Sequence, residues 1–269
     1  MGTRAPWHAT GAGSGTGAWF HRLVIDYRSI QALEPDLPRA GVVPIGPHAV
    51  ERARGIAQRG GTLRVRTLAE GRGSHVVWAL LDARDAACAP EASRLAHLGG
   101  VAGILLTGVC PTRSALQGYA RELGARVLCA AGPDVDAIAA LEDCWFAPLL
   151  LRGVLGFYPD DLEAILRASS CGLLDVVPLR PPAERGPEGY ALSQRSRDAL
   201  CGAQSALVVV HDAPELTLFD VNELLVALGG LVPPEASVLA QAIVHDPCPR
   251  PRLALCTLYG AVVAGSTAP

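Results

Sequence analysis

The chain has 269 residues, half of them hydrophobic, and carries 23 basic against 26 acidic residues for a formal net charge of −3. That length supports one large core or two smaller ones, and the slight acidic balance excludes a nucleic-acid-binding surface as its main business. No apolar run reaches the ~18 residues that a membrane-spanning helix needs. Met1–Gly17 has no apolar segment of the kind that marks an export signal. The eight cysteines, Cys88, Cys110, Cys129, Cys144, Cys171, Cys201, Cys248 and Cys256, form no CxxC pair. They are therefore expected to be reduced thiols buried as small hydrophobes in a cytoplasmic protein.

The glycine-rich stretch GAGSGTG at 11–17 raises the question of a phosphate loop, since glycines let several backbone amides converge on an anion. It lacks the Gly-Lys-Ser/Thr ending of one phosphate-binding fingerprint and the preceding strand of the other, so a linker is expected here. FHRLVID (20–26) is the first strand candidate, followed by GVVPI (41–45). PHAVERARGIAQR (47–59) reads as a helix opened by Pro47, whose missing N–H costs nothing in a first turn. A Gly/Arg-rich loop follows, with one short strand at LRVRT.

Strands HVVWALLD (75–82), VAGILLTGV (101–109) and ARVLCAA (125–131) alternate with helices at 89–99 and 114–124. Continuous apolar runs in that rhythm predict a parallel sheet covered on both faces. From Pro133 to Phe157 the helical pattern is apolar all round, which predicts a helix buried between layers, with Trp145, Leu149 and Leu150 inside. Helix 160–170, strand 172–179, helix 191–201, strand 205–212, helix 216–230 and strands 237–245 and 251–263 complete the chain. The two successive strands at its end, joined by a Pro-rich turn, predict a mixed, partly antiparallel sheet. Trp19, Trp78 and Trp145 sit in apolar runs and read as core. The seven histidines show no metal-ligand spacing, and no nucleophile or metalloprotease motif is present, so no metal site is expected.

HDAPELTLFDVNELL (211–225) resembles the PDLTLFEVNEA phrase of FtsZ. PEASVLAQAIVHD and RLALCTLYG after it are similar to the FtsZ strands DPDANIIFGAVIDE and RVTVIATGF, in the same order. The residues before it resemble the rest of FtsZ more weakly: IGPHAVERA falls on NPEVGRKA, the segment from His75 on the FtsZ strand MVFVTAGMGGGTGTG, and LRGVLGFYPDDLEAIL on RPGLINVDFADVRAVM. The resemblance implies an α/β fold of the FtsZ/tubulin type. Its N-terminal domain would be a Rossmann-like parallel sheet, followed by a central core helix and a smaller α+β C-terminal domain with a mixed sheet. The implied divisions are a leader at 1–19, a degenerate GTPase-like domain at 20–132, the central helix and loop at 133–158, and an FtsZ C-terminal-like domain at 159–269. Separate sheets are expected for the two halves, so that one continuous sheet would rule the FtsZ-like reading out.

The same comparison implies a damaged nucleotide site. Where FtsZ carries GGGTGTG, this chain reads DARDAAC: Asp82, Ala83, Arg84, Asp85, Ala86, Ala87 and Cys88. Side chains crowd where backbone amides should meet phosphate, and a carboxylate beside a phosphate costs about 4 kcal/mol at intermediate dielectric. The first strand and helix of the FtsZ domain look deleted, leaving GAGSGTG without a scaffold. The FtsZ loop NVDFAD, which a neighbouring subunit inserts into the GTP site, falls with its asparagine on Gly156, its first aspartate on Tyr158 and its second on Asp161. Asp161 is the one aligned remnant of catalysis, and Asp160 with Asp161 equally suits the positive end of a helix.

These readings lead to a non-catalytic FtsZ-like protein that binds no cofactor and meets FtsZ, an FtsZ-like subunit or itself through Tyr158, Asp160 and Asp161. No nucleic acid and no direct membrane insertion are expected, because the chain ends at GAVVAGSTAP without a tethering tail. The alternatives are a divergent FtsZ that still binds and hydrolyses GTP, and an unrelated Rossmann-like enzyme.

Overall fold

The first strand, β1 (Ala40–Ile45), ends in Gly46 and feeds directly into α1 (Pro47–Arg59), whose opening proline fits a first turn. The computed structural model describes residues 40–59, 64–65, 76–97, 101–150, 159–179, 192–212, 217–244 and 251–260. All fall within Asp36–Pro269, the second of the two units into which the chain divides. The leader, the strand candidate at 20–26, Trp19, Tyr158 and the loop at 180–189 lie outside the described residues.

After β2 (Arg64–Val65) come β3 (Val76–Asp82), a 3-10 helix (Ala83–Cys88), α2 (Ala89–Ala96), β4 (Val101–Thr107), α3 (Arg113–Leu123) and β5 (Val127–Ala130). These strands are parallel in the order β2-β1-β3-β4-β5. Alternation along each strand divides the core into two layers. Trp78, Leu80, Leu105 and Leu128 face one cluster with Ala49 and Ala53 of α1. Val77, Leu81, Ile104 and Cys129 face the other, with Leu95 of α2 and Leu116 and Leu123 of α3. Burial on both faces is why these strands lack polar alternation. Thr112 caps α3 by accepting from the Ala115 amide, and Gly124 ends it in the left-handed conformation.

The central helix runs as α4 (Ala137–Leu141), a π turn (Glu142–Phe146) and α5 (Ala147–Leu150). It begins at Ala137 rather than at Pro133 because the Asp136 carboxylate accepts from the Ile138 and Ala139 amides at 3.0 and 3.2 Å. Trp145 is 1% exposed and its ring lies 5.9 Å from that of Trp78; the side chains of Leu149 and Leu150 lie outside the described residues. The π turn is tied to the second half of the chain. Arg252 grips the Asp143 carboxylate with two hydrogen bonds of 2.7 and 2.8 Å, and buried His211 meets the Asp143 carbonyl at 2.9 Å.

The second half contributes α6 (Pro159–Arg167), β6 (Cys171–Pro178), α7 (Gln194–Cys201), β7 (Ser205–Asp212), α8 (Leu218–Gly229), β8 (Ser237–Val244) and β9 (Arg252–Tyr259). Thr217 and Asp220 form a reciprocal capping box at the start of α8, so the helix opens two residues later than the apolar pattern suggests. The sheet is mixed, but the two strands that end the chain are not paired with each other. β8 is parallel to β7, and β9 inserts antiparallel between β6 and β7. Separate sheets for the two halves are not found. β6 pairs with β5 over four residues on one edge and with β9 over eight on the other, giving one nine-stranded sheet, β2-β1-β3-β4-β5-β6-β9-β7-β8.

The cysteine expectation also needs correction. Cys129, Cys144, Cys171 and Cys256 are buried and free, whereas Cys88 and Cys110 are half-buried and Cys201 is exposed. Burial raises the thiols of Cys129 and Cys256 to about 12, which keeps them protonated. No helix among the described residues is long and apolar enough to cross a membrane.

Trp145 joins the central helix to the sheet, so Trp145→Ala is expected to cost about 3–5 kcal/mol. Urea denaturation should show a lower midpoint at unchanged slope. A loss below about 1 kcal/mol would contradict its place at the centre of the core.

Candidate functional site

Open α/β sheets bind ligands outside the carboxyl ends of their strands, at the point where strand order reverses. Here the chain steps from β1 outward to β2 and returns to β3 on the other side, so the crest between β1 and β3 is that point. β1, Gly46 and α1 form a βα unit at this crest. What stands at its turn is one glycine in place of a glycine-rich loop.

The crest is filled by the chain's own carboxylates. Gly46 has φ +98°, and a Cβ there would lie 2.6 Å from the Asp85 carboxyl group. Through that gap Asp85 reaches the N-terminus of α1, accepting from the Ala49 amide at 2.9 Å and meeting His48 Nδ1 at 2.6 Å. A helix start offers unpaired N–H groups and the positive end of its dipole, the combination that binds phosphates in nucleotide folds. Burial opposes the charge on Asp85, but the His48 contact and the Ala49 amide outweigh it and hold the carboxyl below its ordinary range.

Asp82 fills the neighbouring position. It is fully buried at the end of β3, and its carboxylate is bound by Arg84 and Arg52 and accepts from the Thr107 hydroxyl at 3.3 Å. The Arg84 side chain contributes most, then against burial the Arg84 amide and Arg52, and together they hold this carboxyl far below the usual carboxylate range. Gly108, at φ +75°, admits it: a Cβ there would sit 2.9 Å from an Asp82 oxygen. Ala83–Cys88 winds into a 3-10 helix in which Asp82 caps the Arg84 amide.

The expectation that Asp82 and Asp85 offer free negative charge is therefore corrected. Arg52 and Arg84 are bound to Asp82, and His48 and the Ala49 amide to Asp85, so these groups are engaged by the chain's own carboxylates. The residues present do not fit a triphosphate. A cleft of about 580 Å³ adjoins the crest, bounded by Thr107, Gly108, Cys110, Gly132, Asp134 and Asp136. Its lining cation, Arg52, is bound to Asp82, while Asp134 and Asp136 add negative charge.

Asp160 and Asp161 lie in the first turn of α6, and Asp161 is exposed. The last turn of α6 leads into the start of β6, the end of the sheet opposite the crest. Gly46, His48, Arg52, Thr107 and Gly108 form the site without having been marked by sequence patterns. The one local signal is IGPHA, a strand ending in glycine directly before a proline-opened helix.

A parallel half, a buried central helix and a mixed second half define an α/β protein built on one mixed sheet. Within that class the fold is FtsZ/tubulin-like. A FtsZ structure described as an empty dimer, from M. jannaschii, superposes at a TM-score of 0.63 with 11% identity over 87% of this chain and 92% of that one. A mutant FtsZ from the same organism gives 0.58 at 12% identity over 87% and 95%. CetZ from Methanosaeta thermophila gives 0.54 at 10% identity over 82% and 86%. No protein-family model matches, and no curated protein is significantly similar in sequence. The expectation that one continuous sheet would rule this fold out is thus corrected: the chain has one nine-stranded sheet and superposes on these structures.

Both crest carboxyls are held below their ordinary range, so their contribution is complete above the unfolded value near ~4 and is lost as pH falls below it. Melting temperatures should drop steeply in that range, and Asp85→Asn should blunt the drop; an identical acid profile would contradict the assignment. Gly46→Ala should destabilise by more than about 1 kcal/mol. Gly118→Ala, on α3 with open space around it, should be neutral or stabilising by about 0.5–1 kcal/mol.

Proposed function

We propose that this chain is a non-catalytic FtsZ-like cytoskeletal protein that serves as a filament partner, cap or regulator. The observation that carries the reading is the Asp85 carboxylate seated on the N-terminus of α1, where a nucleotide fold would hold a phosphate. Beside it, Arg52 and Arg84 are bound to Asp82 and so are engaged before any GTP could reach them. The solved FtsZ described as a dimer supports association of like subunits as the role of such a fold. In this reading Tyr158, Asp160 and Asp161 lie on the face that meets FtsZ, an FtsZ-like subunit or a second copy. A heterologous contact made by one competent face ends a filament instead of extending it. Cell division in a bacterial cytoplasm is the process such a cap would serve.

The open cleft beside the crest favours one second reading, a divergent FtsZ that binds and hydrolyses GTP after the carboxylates move aside. Calorimetric titration with GTP and GDP separates the two. The first expects no binding at millimolar nucleotide; micromolar affinity with measurable turnover would establish the second. Added substoichiometrically to FtsZ of the same organism, the protein should shorten filaments and lower GTP turnover. Asp160→Arg with Asp161→Arg should remove that effect at unchanged melting temperature. Untouched FtsZ assembly at equimolar ratio would sink the capping role.

A further inference from the structure

A helix packed on a sheet buries one face and turns charged and polar residues outward. α8 does the first: Val221, Leu224 and Leu228 are buried in the layer that also holds Ala242 of β8. Its outer face departs from the rule. Phe219 and Val226 are each 68% exposed. Seven residues apart, they stand on one stripe of the helix, roughly 10 Å apart along its axis. Val238, 39% exposed at the start of β8, lies on the same side of the sheet as Ala242, since residues an even number apart point the same way. Among the described residues four large hydrophobic side chains are exposed, and of these only Val50 lies elsewhere. Single exposed hydrophobics are ordinary, whereas three gathered on one side of one half mark an interaction surface.

The charge around them has one sign. Thr217–Val244 contains Asp220, Glu223 and Glu235 and no lysine, arginine or histidine, which equals the whole chain's formal net charge of −3. Asp220 closes the capping box at the start of α8. Glu223 stands between Phe219 and Val226 on the outer stripe. It is exposed, as is Glu235, and neither has a basic partner among the described residues.

We propose that the outer face of α8 is a docking surface for a basic amphipathic helix of a protein partner. The two anchors repeat at the spacing with which an amphipathic helix presents its own apolar residues. A partner helix laid along α8 therefore sets an apolar side chain against each of them. Lysine or arginine on the flank of that face meets Glu223, and such complementarity fixes register and speeds encounter. The same charge selects against other occupants. A second copy of α8 would bring Glu223 against like charge, and the phosphates of a nucleic acid or an anionic lipid surface are repelled. The surface is independent of the crest and of the reading drawn from it.

Fluorescence anisotropy on the full chain tests the proposal, using a labelled peptide of about five helical turns with leucine on one face and lysine on the other. It should bind, and more weakly as salt rises, while the same peptide with glutamate for lysine should not. Phe219→Ala with Val226→Ala should weaken binding roughly tenfold or more, and Glu223→Lys by a similar factor. All three positions are exposed, so the melting temperature should hold. Hydrogen exchange locates the contact without a variant, since bound peptide should slow the amides of α8. No binding at about 100 micromolar protein would overturn the proposal. So would equal affinity for the glutamate peptide, variants that leave affinity unchanged, or exchange slowed only outside α8. A dimer lost on Phe219→Ala would assign the face to a second copy and overturn it, as would binding to phosphatidylglycerol vesicles that Phe219→Ala abolishes.

Discussion

A parallel sheet leaves unpaired helix amides at its crest, and each needs an acceptor. In this chain that partner is Asp85, and the local geometry follows from it. Gly46 is a glycine because the carboxylate passes where a Cβ would stand, and His48 is held at the helix start by the same group. The 3-10 helix between β3 and α2 holds Asp85 in that position. Asp82 repeats the arrangement one strand position away, with Gly108 making room and two arginines supplying the counter-charge. In a nucleotide-dependent relative of such a fold the ligand would complete the crest. Here Asp85 meets those amides from within the covalent chain.

The rest of the molecule is held by contacts that cross from one half to the other. Arg252 of β9 grips Asp143 in the central helix, and buried His211 of β7 meets the same residue's backbone. Arg126, ahead of β5, donates to the carbonyls of Leu166 and Ser169 at the end of α6. It thereby serves the C-terminal carbonyls that a helix leaves unpaired. β6 provides the backbone counterpart, bonded to the parallel half on one edge and to β9 on the other.

What was legible in the sequence was local. The apolar runs at 76–82, 101–107 and 205–212 announce buried strands because burial on both faces suppresses alternation. Pro47 and the helices at 47–59 and 194–201 follow from equally short-range rules. What was not legible depends on pairing between distant residues. Asp85 and Ala49 are 36 positions apart, and no periodicity links them. The insertion of β9 between β6 and β7 breaks the tendency of successive strands to lie side by side, so the single sheet could not be read from chain order. The charges of Asp82 and Asp85 were visible, but their burial against Arg52, Arg84 and His48 was not.

The π turn at Glu142–Phe146 has a consequence for how this chain is compared with others. A π turn accommodates one residue more than an α-helical turn of the same height. An ungapped comparison with an uninterrupted helix would therefore match inward-facing residues on one side of Asp143 and turn them about a quarter-turn out of phase on the other. The shift falls between the parallel half and the mixed half, so a single register cannot serve both. Fitting each half separately, with a one-residue offset allowed at 142–146, is the alignment that this backbone calls for.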